Sequence, residues 1–181
     1  NKLDQNFQPT DGYLTSFSQT LPIYSDDSTI ENSVKMSKYH SLNDSLILSG
    51  KLYLKTVNSF DDNVRVSKRV YIPSSRLRGF ESGSIGPKDG DQYIGGNYGT
   101  AINLNSTLPN LLNGYENLDF NLFLDAAKLW HVDYDSSLDS DKIRSSTGIS
   151  MNWFTPVGPL SFSYAIPISE AKSDKTETFR F

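Results

Sequence analysis

Arg78 stands in the stretch Leu77-Arg78-Gly79-Phe80-Glu81-Ser82-Gly83-Ser84-Ile85-Gly86-Pro87, with Gly90 and Gly95-Gly96-Asn97 close behind. A guanidinium stays charged and offers a planar fork of donors, so its best counterpart is a carboxylate held through both oxygens. An ordinary turn needs one Gly or Pro to supply its special backbone angles. Gly79, Gly83, Gly86, Pro87, Gly90, Gly95 and Gly96 together are enough for a long, folded, backbone-dense loop. Arg78, Gly79, Phe80, Gly86 and Pro87 are therefore the candidate functional residues of that loop.

The other reactive groups assemble no catalytic or metal centre. The chain has no cysteine, and its two histidines, His40 and His131, lie far apart without an i, i+4 partner. Ser146, His131 and Asp125 could be written as a triad, but no Gly-x-Ser-x-Gly elbow surrounds any serine. Asp26-Asp27, Asp61-Asp62 and the acidic run 133–141 fall between strand-like segments, where solvated loop charge is expected. Residues 83–86 are followed by no helix, so they are no phosphate loop. The expectation is a non-enzymatic protein with no cofactor and no bound metal.

The elements that must position Arg78 are strands. From Leu46 to Leu54 the even positions are mostly apolar, while Ser49, Lys51, Tyr53 and Lys55 take the other face. Ile102, Leu104 and Leu108 alternate with Ala101, Asn103 and Asn105, and Leu118, Phe120, Leu122 and Leu124 with Asp119, Asn121, Phe123 and Asp125. Ile149, Met151 and Trp153 alternate with Gly148, Ser150 and Asn152, and Leu160, Phe162, Tyr164 and Ile166 with Ser161, Ser163 and Ala165. Weaker segments at 13–21 and 34–40 and a stub at 177–181 bring the expectation to eight strands.

Short turns at 41–45 and 155–159 and a moderate one at 109–117 alternate with longer loops at 23–31, the Gly-rich segment, 132–142 and 169–176. That asymmetry suits an outer-membrane barrel, although a soluble β-sandwich also alternates in hydropathy. Two details favour the membrane. One face is small and polar, as a hydrated lumen allows, and Tyr13, Trp130, Trp153, Phe154 and Tyr164 gather near strand ends, where interface girdles form. A net charge of −4 without a block of like charge argues against nucleic acid as a partner.

Several segments, in order, resemble the outer-membrane protein assembly factor family, the BamA family. They are Asn6-Phe7-Gln8-Pro9-Thr10-Asp11-Gly12, the arginine loop with Gly95-Gly96-Asn97, Leu122-Phe123-Leu124-Asp125-Ala126-Ala127-Lys128-Leu129-Trp130, and the run from Arg144 through Trp153-Phe154-Thr155-Pro156 to Pro167. The resemblance implies an all-β, antiparallel transmembrane barrel, with residues 1–181 as its last eight strands of sixteen. The Gly-rich loop, at about 57–95, would fold back into the lumen. The POTRA domains and the first barrel half would lie outside this chain. Opening at Asn1 and stopping at Thr178-Phe179-Arg180-Phe181, the chain is expected to be a piece of something larger, with strand residues beyond Phe181. An aromatic native terminus at Phe181 is the alternative.

By the same resemblance Arg78 pairs with acidic residues on the inner wall, and strand parity points Asp125 there. The family's usual glutamate is replaced by Asn105, which can accept from Arg78 without neutralising it. The implied function is folding and insertion of β-barrel proteins into the outer membrane through a lateral seam. The implied partners are client barrels, lipoproteins of the assembly machinery and outer-membrane lipid. A related barrel that secretes passenger proteins, or a soluble all-β binding module, remains open at this point.

Overall fold

Strict alternation over long segments leaves each strand one apolar and one polar face, and neighbouring strands must then agree on which is which. A computed structural model describes residues 1–22, 28–109, 111–112, 114–115 and 117–181. Its main sheet is formed by β1 (Lys2–Leu3), β2 (Gly12–Thr20), β3 (Thr29–Asn43), β4 (Leu46–Ser59), β7 (Tyr98–Pro109), β8 (Leu118–Trp130), β9 (Arg144–Thr155), β10 (Gly158–Ser169) and β11 (Phe179–Arg180). All neighbours pair antiparallel in chain order, so the nine described strands form one open meander with β1 and β11 at its edges. The hairpin of β5 (Lys88–Asp89) and β6 (Gln92–Tyr93) stands apart, inside the arginine loop. No helix among the described residues is long and apolar enough to cross a membrane.

The sheet exceeds the eight expected strands by β1, whose two residues pair with Tyr13 and Gly12 and are too few to show a period. At the other end only Phe179–Arg180 of the expected stub pairs, against Tyr164 and Ser163. β3 and β4 outrun their apolar alternation, because Thr29, Ile30 and Glu31 still pair with Ser59, Asn58 and Val57. The arginine loop therefore occupies 60–97 rather than about 57–95. The expected acidic pair Asp26-Asp27 lies outside the described residues, as do parts of the segments at 23–31 and 109–117.

Register carries the faces from β4 through β7 and β8 to β9 without a slip, and the shifts elsewhere fall at the strand ends, at Ser41/Asn43 and Pro167/Ser169. Leu104 pairs with Leu124, and Leu124 with Thr147, while Asn103 pairs with Asp125, and Asp125 with Ser146. Ile102, Leu104, Leu122, Ile149, Leu160 and Ile166 are exposed on the outer face, the arrangement a lipid-facing surface requires. The apolar core lies on the opposite side. Val64, Val70, Ile72, Leu77, Phe80 and Ile85 of the loop pack against Val57, Ala101, Ala127 and Leu129 of the inner wall. Folding the loop inward thus gives the sheet a core that a solvent-filled half-barrel would lack.

One expected girdle residue turns the other way. Phe154 shares parity with Ser150 and Asn152 and lies on the inner side, where its ring meets Phe7 edge-on at 5.4 Å. Trp153, one position earlier, takes the outer face and is 41% exposed. Nearness to a strand end was the wrong criterion. Parity decides.

Candidate functional site: the arginine clasp on the inner wall

The wall that receives Arg78 is built by three neighbouring strands. Asn103 and Asn105 of β7, Asp125 and Phe123 of β8, and Ser146 and Ser150 of β9 all face inward by register. Arg78 Nε donates to Asp125 Oδ2 at 2.7 Å and Nη2 to Asp125 Oδ1 at 2.7 Å, a two-pronged grip on one carboxylate. Nη2 also donates to Asn105 Oδ1 at 2.8 Å, and Nη1 reaches toward Ser150 Oγ at 3.5 Å. The guanidinium carbon lies over the Phe123 ring, 3.6 Å from its centroid, where the ring's negative face attracts the cation.

Asp125 is fully buried, and its remaining acceptor capacity is taken up locally. The Arg78 backbone N–H donates to Oδ2 at 3.1 Å, and Asn103 Nδ2 to Oδ1 at 2.8 Å. The Asn103 amide also donates to the Arg76 carbonyl at 2.9 Å, while Ser146 Oγ donates to the Arg78 carbonyl. The loop backbone is therefore held on both sides of the arginine.

Two glycines make this approach possible. Gly79 has φ +88°, and a Cβ there would sit 3.1 Å from Ala165 Cβ and 3.3 Å from Ser146 Cβ. Gly148 lies directly across from Phe123, whose Cζ would be 2.9 Å from any Cβ at that position. The missing side chain gives the Phe123 ring its berth, and the ring in turn carries the guanidinium.

Phe80 is 1% exposed within the loop core, Gly86 packs against Leu129 of the wall, and Pro87 is fully buried. The structure thus brings Arg78, Gly79, Phe80, Asp125 and Asn105 together, with Gly86 and Pro87 further along the same loop. It does not assemble the paper triad. Ser146 and Asp125 are both engaged with Arg78, and the His131 ring stacks on Tyr98 at 4.7 Å. Among the described residues no cluster of metal-ligating side chains occurs.

Two further clasps escaped the sequence reading. Arg69 Nη2 donates to Asp133 Oδ1 at 2.6 Å, and Asp133 Oδ2 also accepts from Val64 N–H at 2.6 Å and Asn97 Nδ2 at 2.9 Å. Arg144 grips Asp174 through Nε at 2.9 Å and Nη2 at 3.0 Å. The acidic run 133–141 is accordingly not all solvated charge, as expected from its loop position. Asp133 is tied to the arginine loop, and Asp139 accepts the His131 N–H. Arg69 stands before Val70 and Arg144 after Ile143, but nothing in the spacing named their partners.

Burial alone would raise the Asp133 carboxyl, but the Asn97 amide, the Val64 N–H and the Arg69 charge outweigh it and hold it below its ordinary value of 3.8. A carboxyl lowered by folding adds stability above the unfolded value and loses it as pH falls through the folded one. The stability gap between the full-length protein and its Asp133→Asn variant should therefore stay constant near neutrality. It should close on acidification below the ordinary carboxylate range, as read from thermal unfolding at a series of pH values. A gap independent of pH would remove the ionised carboxylate from the loop's support.

An open antiparallel sheet with an apolar outer face, short turns at one rim, longer loops at the other and an arginine loop docked on the inner wall is a segment of an outer-membrane β-barrel. Residues 1–181 match the Omp85 superfamily domain. The chain belongs to that superfamily and to the outer membrane of Gram-negative-type bacteria. It is 31% identical over 171 residues to the outer membrane protein assembly factor BamA of Nitratidesulfovibrio vulgaris, covering 88% of this chain and 20% of that protein. It is 30% identical over 190 residues to BamA of Neorickettsia risticii, covering all of this chain and 25% of that one. Among solved structures, BamA from Haemophilus ducreyi lacking POTRA domains 1–3 superposes with a TM-score of 0.86 at 31% identity, covering 99% of this chain and 39% of that one. The chain thus spans about a quarter or less of the length of these two relatives.

Proposed function

We propose that the protein carrying this chain folds and inserts β-barrel proteins into the outer membrane, without enzymatic chemistry. The observation that carries this reading is the Arg78 clasp on Asp125, set in a sheet that superposes on a BamA barrel. In this reading residues 1–181 are the C-terminal part of a sixteen-stranded barrel, preceded in the full protein by its first half and by POTRA domains. Arg78, Gly79, Phe80, Gly86 and Pro87 form the lumen-loop motif, and Asp125 and Asn105 are its wall partners.

The clasp fixes the loop inside the barrel, so the seam can open without the lumen collapsing. β11 pairs with β10 at Phe179 and Arg180, and in this reading it belongs to the strand that closes the barrel at the seam. When that seam opens, the edge strand's freed backbone groups are of the kind that template an added strand. Partners would be unfolded client barrels arriving at that edge and lipoproteins of the assembly machinery.

Shutting off the full-length gene tests this. Client porins should lose their heat-modifiable, folded bands while secretion of an unrelated passenger protein is spared. Client barrels that fold normally while passenger secretion fails would overturn the assembly role in favour of a transport role.

A further inference from the structure

We propose that the outer face holds a binding groove for an anionic phospholipid of the inner leaflet, its phosphate on Lys38 and an acyl chain over Gly50. This goes beyond the assembly role and rests only on the barrel's place in the membrane. The groove is an open depression of about 520 Å³ on the lipid-facing side of β3, β4, β7 and β8. Two register rows cross it. Lys38, Gly50, Leu104 and Leu124 pair in one, and His40, Leu48, Ser106 and Leu122 in the next. Gly50 and Ser106 are the small members, so the floor is low between Leu48 and Leu104.

The backbone does not require a glycine at position 50. Its φ is ordinary, the ladder passes through it without a bulge, and an added Cβ would meet only Leu104 Cδ2 at 3.5 Å. The lacking side chain is therefore free to serve as space, in contrast to Gly79 and Gly148, where the fold leaves no room.

Charge stands at one end of this apolar floor. Lys38 and His40 lie in the part of β3 leading to its end at Asn43, next to the short turn and hence the periplasmic rim. His40 Nδ1 is 3.3 Å from Asp11 Oδ2, which leaves Lys38 without an ion pair among the described residues. Tyr13 pairs with Lys38 and Lys2 with Tyr13, so a phenol and a second ammonium share the row with Lys38, and Asp11 is the acid held at His40. A lysine on a lipid-facing wall directs its ammonium along the strand toward the headgroups, above its own aliphatic stem. A phosphate at that level with an acyl chain running over Gly50 satisfies both ends, which a wholly apolar partner segment would not.

The full-length protein in nanodiscs of equal parts phosphatidylglycerol and phosphatidylethanolamine, released for native mass spectrometry, reads the site directly. Phosphatidylglycerol should be retained in preference. Lys38→Gln should lower that preference about fivefold, the share one lysine contributes near an anionic surface, and Lys38→Arg should keep it. Gly50→Leu should reduce retention of both lipids, and Gly50→Ala, the smaller change the backbone accommodates, should do so partly. Unchanged preference in Lys38→Gln overturns the proposal, as does unchanged retention in both Gly50 variants. A photoreactive group at Ser106 that crosslinks to protein instead of lipid in whole membranes overturns it as well.

Discussion

Arg78→Ala in the full-length protein is expected to release the loop from the wall and sharply lower barrel assembly. The reason lies in what stays behind. Asp125 is fully buried, and without the guanidinium it keeps only the Asn103 amide and one backbone N–H. Breaking such a pair from one side costs about 3–5 kcal/mol, less to the extent that lumen water reaches the 16%-exposed arginine position. Arg78→Lys should recover part of this, since a point charge can meet one carboxylate oxygen but cannot bridge both while covering the Phe123 ring. Combining Arg78→Ala with Asp125→Ala should cost less than the sum of the two, with a coupling of at least about 0.5 kcal/mol. Asn105→Glu should soften Asp125→Ala by placing a charged acceptor beside Nη2, which donates to Asn105 Oδ1 at 2.8 Å in the native chain. Unfolding followed by heat-modifiability, alongside client insertion, checks all of these. Full insertion in Arg78→Ala would remove the clasp from the mechanism.

The strands were legible because lipid and lumen impose opposite demands on alternate residues. The inward set Asn103, Asn105, Asn121, Asp125 and Ser150 follows from counting by twos, and the register keeps that set on one side. What parity cannot see is anything shorter than a period or outside a strand. β1 and the β5–β6 hairpin span two residues per strand and carry no pattern. Phe154 stands near a strand end as the girdle aromatics do, yet its alternation with Trp153 turns it inward.

Partners of the buried arginines were hidden for a different reason. Arg69 and Asp133 lie 64 positions apart and meet only because two irregular loops cross above the sheet. No periodic signal encodes such a meeting. Asp125 could be anticipated because it sits on a strand, where direction is determined by position.

Arg144→Ala, the second large effect, should loosen the same loop from the long-loop end of β9, two residues from Ser146. Arg144 and Asp174 are 1% and 0% exposed, and the arginine also donates to Ser140 Oγ at 2.7 Å and the Lys142 carbonyl at 2.8 Å. Asp174 additionally accepts the Ala171 N–H at 2.7 Å. The segment beyond Asp174 is stitched to the arginine loop. Glu81 N–H donates to the Lys175 carbonyl, Lys175 N–H to the Ser84 carbonyl and Glu177 N–H to the Gly79 carbonyl. Holding Asp174 therefore holds the strip of backbone that backs Phe80.

Removing either partner strands a buried charge, and each single change should cost about 3–5 kcal/mol. Exchanging both for apolar residues of similar volume, Arg144→Met with Asp174→Leu, should recover most of it, because no uncompensated charge remains. Hydrogen exchange supplies the local reading. The amides of Glu81 and Glu177 should lose protection in Arg144→Ala and regain it in the double variant. Single variants within about 0.5 kcal/mol of wild type, the range of ordinary surface changes, would show that this ion pair does not support the docked loop.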